Sequence, residues 1–236
     1  MGEETLFIES RDGNKLACLV AKPEGRAAGL VISSQGFGST KNKPSYQHLL
    51  TELSKTGFIV ILFEYQGLGE SEGKFEEKTE TRDLEDLKAV VEYAYNSFDF
   101  DKDNFFIFGS SFGGFTALNL ALDDKRIKGL VLKAPVSDFE PTCRYIQNKG
   151  KYILNYESFL EDGKKYDIYS KASELEIPVK IIHGDKDTTV PIEQSKKLIN
   201  LLSNAEIKII EGEGHSFENK KEELYSQIIK FFEALR

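Results

Sequence analysis

The sequence predicts an α/β protein, with a mostly parallel central sheet of about eight strands and helices on both faces. Three observations predict it. Short apolar runs recur along the chain, and some, such as "FIVILF", are apolar at every position, as a strand buried on both faces requires. Stretches with helical spacing stand between them. Gly, Pro, Asn and Asp punctuate the junctions. The 236 residues suit one such domain with a modest insertion.

The elements follow in order. "TLFIES" and "KLACLVAKP" flank Asp12-Gly13, a hairpin turn signal. "AGLVISSQGFG" is a short strand closing on glycines. "YQHLLTELSKTG" has helical spacing and ends on Gly57, a suitable residue just past a helix end. "FIVILFEY" is the next strand, and residues 79–97 form an amphipathic helix. "NFFIF" is a strand and 112–122 a helix. "IKGLVLKAP" and "IPVKIIHG" are strands, 192–202 a helix, "EIKIIEG" the last strand and 219–235 the last helix.

Residues 136–174 break this rhythm. They carry Tyr145, Tyr152, Tyr156, Tyr166 and Tyr169 among many lysines, and they read as an inserted cap on a core of residues 1–135 and 175–236. The plainer alternative is a crossover helix with a long loop.

Bulk properties exclude several classes. The net charge of −8 argues against nucleic acid or an anionic membrane as the main partner. The first ten residues, "MGEETLFIES", lack a basic region and an apolar core, so no secretory signal is expected. Leu6 breaks the N-myristoylation pattern. No apolar run reaches membrane-spanning length. Cys18 and Cys143 lie far apart without metal-type spacing, which suits reduced thiols and a cytoplasmic location. No cofactor or metal is expected, and the composition leaves a homodimer open. "GLGESEGK" fits neither phosphate-binding glycine pattern. "DFDKDN" lacks the glycine and the glutamate of a calcium loop.

The stretch "FFIFGSSFGGFTALNLAL" carries the chemistry. Gly109-Ser110-Ser111-Phe112-Gly113 ends a strand and opens a helix, and it fits G-x-S-x-G. A turn that sharp strains its central residue and needs small residues two before and two after. Ser111 has Gly109 and Gly113 at those offsets, whereas Ser110 would have Phe108 and Phe112. Ser111 is therefore the candidate nucleophile; the plainer role is to cap the helix. A serine needs a base. Of the three histidines, His48 lies in a helical pattern and His183 ends a strand. His215, on the glycine-flanked loop "EGEGHSF" after the last strand, is the candidate. "HGDKDTTVP" supplies the orienting carboxylate, Asp187 first and Asp185 second, in the chain order Ser, Asp, His.

Together these segments resemble the α/β-hydrolase superfamily, over essentially the whole chain. Within it the sequence is similar to a small-capped acyl-esterase branch with cinnamoyl and feruloyl esterases, which grades into monoacylglycerol lipases and serine aminopeptidase-like hydrolases. "SSQGFGST" resembles the oxyanion loop and "FEYQGLGESEGKF" the glycine-rich segment after the next strand. The resemblance implies Asp187, in Asp187-Thr188-Thr189-Val190-Pro191, as the acid. It implies the backbone N–H groups of Phe37 and Phe112 as the oxyanion hole. Two departures stand out: Gln35 replaces the usual histidine of the oxyanion loop, and Glu64 replaces the usual Asp.

The expected activity is hydrolysis of a small-molecule carboxylic ester, of small to medium acyl or aromatic acids, through an acyl-enzyme on Ser111. A thioesterase, a serine aminopeptidase-like hydrolase and a catalytically silent binding module are the alternatives. The cap tyrosines suit an aromatic acyl group and equally suit the cap's own core.

Overall fold

A computed structural model describes residues 2–236. Eight strands form one sheet in the order β1-β2-β4-β3-β5-β6-β7-β8. They are β1 (Gly2–Glu9), β2 (Lys15–Lys22), β3 (Gly29–Ser34), β4 (Phe58–Phe63), β5 (Phe105–Ser110), β6 (Gly129–Lys133), β7 (Val179–Gly184) and β8 (Ala205–Ile210). β1 and β2 form an antiparallel hairpin, β2 runs antiparallel to β4, and every later pairing is parallel. The hairpin turns at Gly13, where φ is +85°.

Position in the sheet explains the residue patterns. β3, β4, β5 and β6 are buried at every residue and are apolar almost throughout. The edge strand β1 is largely exposed and carries acids, which discourages pairing with another chain.

Helices cover both faces. α1 (Pro44–Lys55) and α8 (Lys221–Leu235) pack on one face through Leu49, Leu53, Leu224, Ile228 and Phe232. α2 (Glu80–Ser97), α3 (Phe112–Asp123) and α7 (Ile192–Ile199) cover the other, through residues such as Leu87, Leu118 and Leu198. Thr79 caps α2, its hydroxyl accepting the Arg82 N–H at 3.1 Å. α1 begins with a proline in its first turn and is followed by Gly57 at φ +99°. The helix expected over 192–202 stops at Ile199, because the chain tightens into a turn in which the Leu201 N–H reaches the Leu198 carbonyl at 3.0 Å.

Between β6 and β7, where a single crossover helix would suffice, the chain inserts α4 (Phe139–Lys149), α5 (Tyr156–Gly163) and α6 (Ile168–Lys171). An aromatic cluster holds this segment down. The Phe139 ring meets Phe112, Phe115 and Phe159 at centroid distances of 5.1, 5.1 and 4.9 Å. The Asp162 carboxylate accepts the Thr81 N–H and hydroxyl at 2.7 and 2.9 Å, tying α5 to α2.

Candidate active site

The carboxyl ends of the parallel strands converge on one edge, where α/β sheets place their reactive groups. Ser111 sits between β5 and α3 with φ +56° and ψ −123°, a conformation unfavourable for a residue with a Cβ. Its neighbours hold it there. The Ser111 N–H donates to the Lys133 carbonyl at 2.9 Å, and its own carbonyl accepts from Gly114 and Val136 at 2.9 and 3.1 Å. The flanking glycines are a matter of space. A Cβ on Gly109 would stand 2.7 Å from the Gly114 Cα, and one on Gly113 would overlap the Ser34 carbonyl.

The Asp187 carboxylate follows β7. One oxygen accepts the Thr189 and Val190 N–H groups at 2.8 and 2.9 Å. The other lies 2.7 Å from His215 Nδ1 and 3.3 Å from His183 Nε2. Burial alone would raise this carboxyl, but the hydrogen bonds from both histidines and from Val190 outweigh it and hold it well below the usual carboxylate range. Burial pushes the His215 imidazole down; Asp187 opposes this, and Lys133 and His183 add to it, for a net lowering. Asp185, the second candidate acid, is occupied elsewhere, accepting the Gly212 N–H at 2.6 Å.

His183 has a structural task that its sequence context left unassigned. It is fully buried; Nδ1 lies 2.7 Å from Ser195 Oγ and Nε2 lies 2.9 Å from the Val190 carbonyl. Facing two oxygens that can only accept, Nε2 carries the proton, and the Ser195 hydroxyl donates to Nδ1. The ring thus buttresses Asp187. A histidine closing an apolar strand four residues before the acid was the available signal. His48 is exposed, its ring 4.6 Å from that of Tyr225.

Ser111 and His215 line one cavity of about 530 Å³. No hydrogen bond joins their side chains directly among the described residues, whereas the His215–Asp187 bond is formed. The oxyanion-loop candidate approaches closely: a Cβ on Gly36 would lie 3.2 Å from both the Ser110 carbonyl and the Ser111 Cβ. Neither the Phe37 nor the Phe112 N–H has an acceptor among the described residues. Both amides are therefore free to donate. The Gln35 side-chain amide is buried without a partner among the described residues. Glu64 is fully used: it accepts Lys41 N–H and Nζ, both at 3.0 Å, and the Glu70 N–H at 2.8 Å, pinning two loops together.

The inserted segment divides its tyrosines. Tyr145 and Tyr152 line the cavity. The Tyr166 and Tyr169 hydroxyls instead meet Thr81 and Ser137 at 2.8 and 2.9 Å, and the Tyr156 hydroxyl donates to the Tyr152 carbonyl at 3.3 Å. Among the described residues, no group of His, Cys, Asp and Glu is arranged to hold a metal, and no helix is long and apolar enough to cross a membrane.

Comparison with known proteins bears on this geometry. The model of the prolyl oligopeptidase family matches residues 44–235, from α1 through α8. The chain belongs to the prolyl oligopeptidase family. This member has the α/β-hydrolase fold. It superimposes on Est1E from Butyrivibrio proteoclasticus, solved with ferulic acid bound, with a TM-score of 0.86, 23% identity and coverage of 98% of each chain. It superimposes on the α/β hydrolase GrgF from Penicillium sp. sh18 with a TM-score of 0.82, 16% identity and coverage of 99% of each chain. It is also similar to the uncharacterized protein YfhR of Escherichia coli (strain K12), 23% identical over 97% of this chain and 80% of that one. Within the prolyl oligopeptidase family match fall Ser111, Asp187, His215 and Phe112; Phe37 lies before it.

Proposed function

We propose that the protein is a serine hydrolase that cleaves carboxylic esters through an acyl-enzyme on Ser111. One observation carries this reading: a serine on a strained strand-to-helix turn and a histidine anchored 2.7 Å from a buried carboxylate face the same cavity. Ser111 Oγ attacks the ester carbonyl while His215 Nε2 takes its proton. Asp187 keeps the other proton on Nδ1 and stabilises the imidazolium. The Phe37 and Phe112 N–H groups receive the oxyanion, each worth on the order of 100- to 1,000-fold in rate. His215 then passes its proton to the leaving alcohol. Water, giving a proton to His215, attacks the acyl-enzyme and frees the acid, and Ser111 regains its hydrogen.

Residues 136–174 act as a cap on the core formed by 1–135 and 175–236. Tyr145 and Tyr152 offer ring faces to an aromatic acyl group. Methyl hydroxycinnamates should then be cleaved faster than aliphatic methyl esters, and equal rates would remove the aromatic preference. Cys18 and Cys143 are free and buried, in keeping with a reducing cytoplasm.

Family membership favours a second reading, hydrolysis of a peptide amide, of which the aminopeptidase-like alternative is one form. An aminopeptidase must hold an α-ammonium, however, and among the described residues the cavity lining includes four lysines and no carboxylate. Esters and thioesters need no such anchor. Labelling with a fluorophosphonate, mapped to the modified residue, tests the nucleophile. A panel of 4-nitrophenyl butyrate, a matched thioester and aminoacyl anilides tests the bond. Label on Ser111 and ester turnover support the reading; no label there, or cleavage of anilides alone, overturns it.

A further inference from the structure

The charge of the cavity is opposite to that of the protein. The chain carries a net charge of −8. Yet among the described residues the lining includes Lys43, Lys133, Lys149 and Lys151 and not one Asp or Glu. None of these four ammonium groups has a carboxylate within 4.0 Å among the described residues. Lys43, Lys149 and Lys151 are exposed, the last two at the rim beside Tyr145 and Tyr152, and water can solvate all three.

Lys133 is different. It ends β6, paired in register with Ser110 and one residue from the proposed nucleophile. Its side chain is buried, and the polar partner of its Nζ is the Ser110 hydroxyl at 3.3 Å. The Phe217 ring, on the loop that carries His215, lies 5.4 Å away. Burial, with help from Lys43, pushes this ammonium down to about 7, against a weaker pull from Asp187. A buried cation without a counter-ion is costly. Other buried lysines of this protein avoid that cost: Lys41 pairs with Glu64 and Glu70, and Lys78 with Asp83. At Lys133 the missing charge faces the cavity. Lys43 and the hydroxyl-bearing residues Tyr46, Ser110 and Ser216 line the same cavity and carry further groups able to donate to an anion.

We infer that this pocket receives an anionic oxygen group of the substrate, so that the ester to be cleaved also carries a carboxylate or a phosphate seated against Lys133 and Lys43. The inference rests on the esterase reading and names its substrate class. The anion would complete the charge that the fold leaves open, and it would hold the ester at a set distance from Ser111. Substrate binding would therefore be weakened by salt less than a surface ion pair is. Neutral esters of equal size would forfeit this anchor.

Binding, read without turnover, provides the test. Ser111→Ala protein is titrated calorimetrically with two matched pairs: monomethyl glutarate against dimethyl glutarate, and the butyryl ester of glycerol phosphate against monobutyrin. The expected result is at least about tenfold tighter binding of one or both anionic members. The pair with the larger ratio tells carboxylate from phosphate. In Lys133→Met and, separately, in Lys43→Met, the ratio drops at least about threefold. Equal binding of anionic and neutral members, or a ratio indifferent to both substitutions, overturns the inference. Failure of the esterase reading looks different: wild-type protein would then neither take the fluorophosphonate on Ser111 nor turn over 4-nitrophenyl butyrate, whatever the calorimetry gives.

Discussion

Among the lysines buried near the carboxyl edge of the sheet, the fold treats Lys41 and Lys133 in opposite ways. Lys41, between β3 and α1, is 3% exposed and meets two carboxylates, Glu64 at 3.0 Å and Glu70. Burial would lower its ammonium, but those hydrogen bonds outweigh burial and raise it. Lys133, at the end of β6, is 9% exposed and meets a hydroxyl. Its ammonium falls to about 7. The first cation closes a structural circuit, since Glu64 also accepts two backbone N–H groups from the loops it joins. The second leaves its circuit open toward a cavity. Burial of a charge by itself therefore says little about role; what decides is whether the protein supplies the partner.

This contrast can be broken at several points, and the largest effect comes first. Ser111→Ala should lower ester turnover on the order of 10,000-fold or more. Wild-type rates in that variant would detach the cavity around Lys133 from any reaction. Lys41→Met should destabilise the fold by about 3–5 kcal/mol, because it strands Glu64 buried and unpaired. Urea unfolding measures this, and a loss under about 1 kcal/mol would mean the Lys41 circuit is not structural. Lys133→Met should change stability by no more than about 1 kcal/mol, or raise it, because it removes a buried charge without stranding another. A loss as large as that of Lys41→Met would erase the distinction.

The pH dependence sharpens it further. The ammonium of Lys133 falls from 10.5 to about 7 on folding. Between these values the unfolded chain binds the extra proton, so wild-type stability rises with pH across that window. Below about pH 7 the destabilisation is fully present. Thermal melts should accordingly show wild type gaining on Lys133→Met from pH 7 upward; parallel curves would count against an unpaired ammonium. The smallest effect is catalytic. The rising limb of kcat/KM for a neutral ester should have its midpoint below 6.5, since burial and Lys133 lower the His215 imidazole. Lys133→Met should move that limb to higher pH, and an unmoved profile would remove the coupling.

Some of this was written locally in the chain. The elbow is legible because its requirement is local: small residues two positions either side of a strained serine, between a strand and a helix. The sheet is legible because fully apolar runs have no other comfortable home. Gly57 as the residue past α1 follows from backbone rules alone. By contrast, nothing near His183 announces that Ser195, twelve residues on, will donate to it, or that its ring will steady Asp187. Nor does the spacing of the five tyrosines say that Tyr145 and Tyr152 reach the cavity while Tyr166 and Tyr169 are spent on Thr81 and Ser137.

By itself, then, the sequence determined the order of strands and helices and the strained turn that offers Ser111. These depend on side-chain period and on backbone sterics within a few residues. Only the tertiary structure decided which buried charges find partners. Lys133 closes an apolar strand much as any edge-facing lysine does. Its isolation arises because β5 and β6 align it with Ser110, and because, among the described residues, the surrounding loops bring no carboxylate within 4.0 Å of it. Electrostatic energy depends on distances between residues far apart in the chain, and only the assembled fold sets those distances.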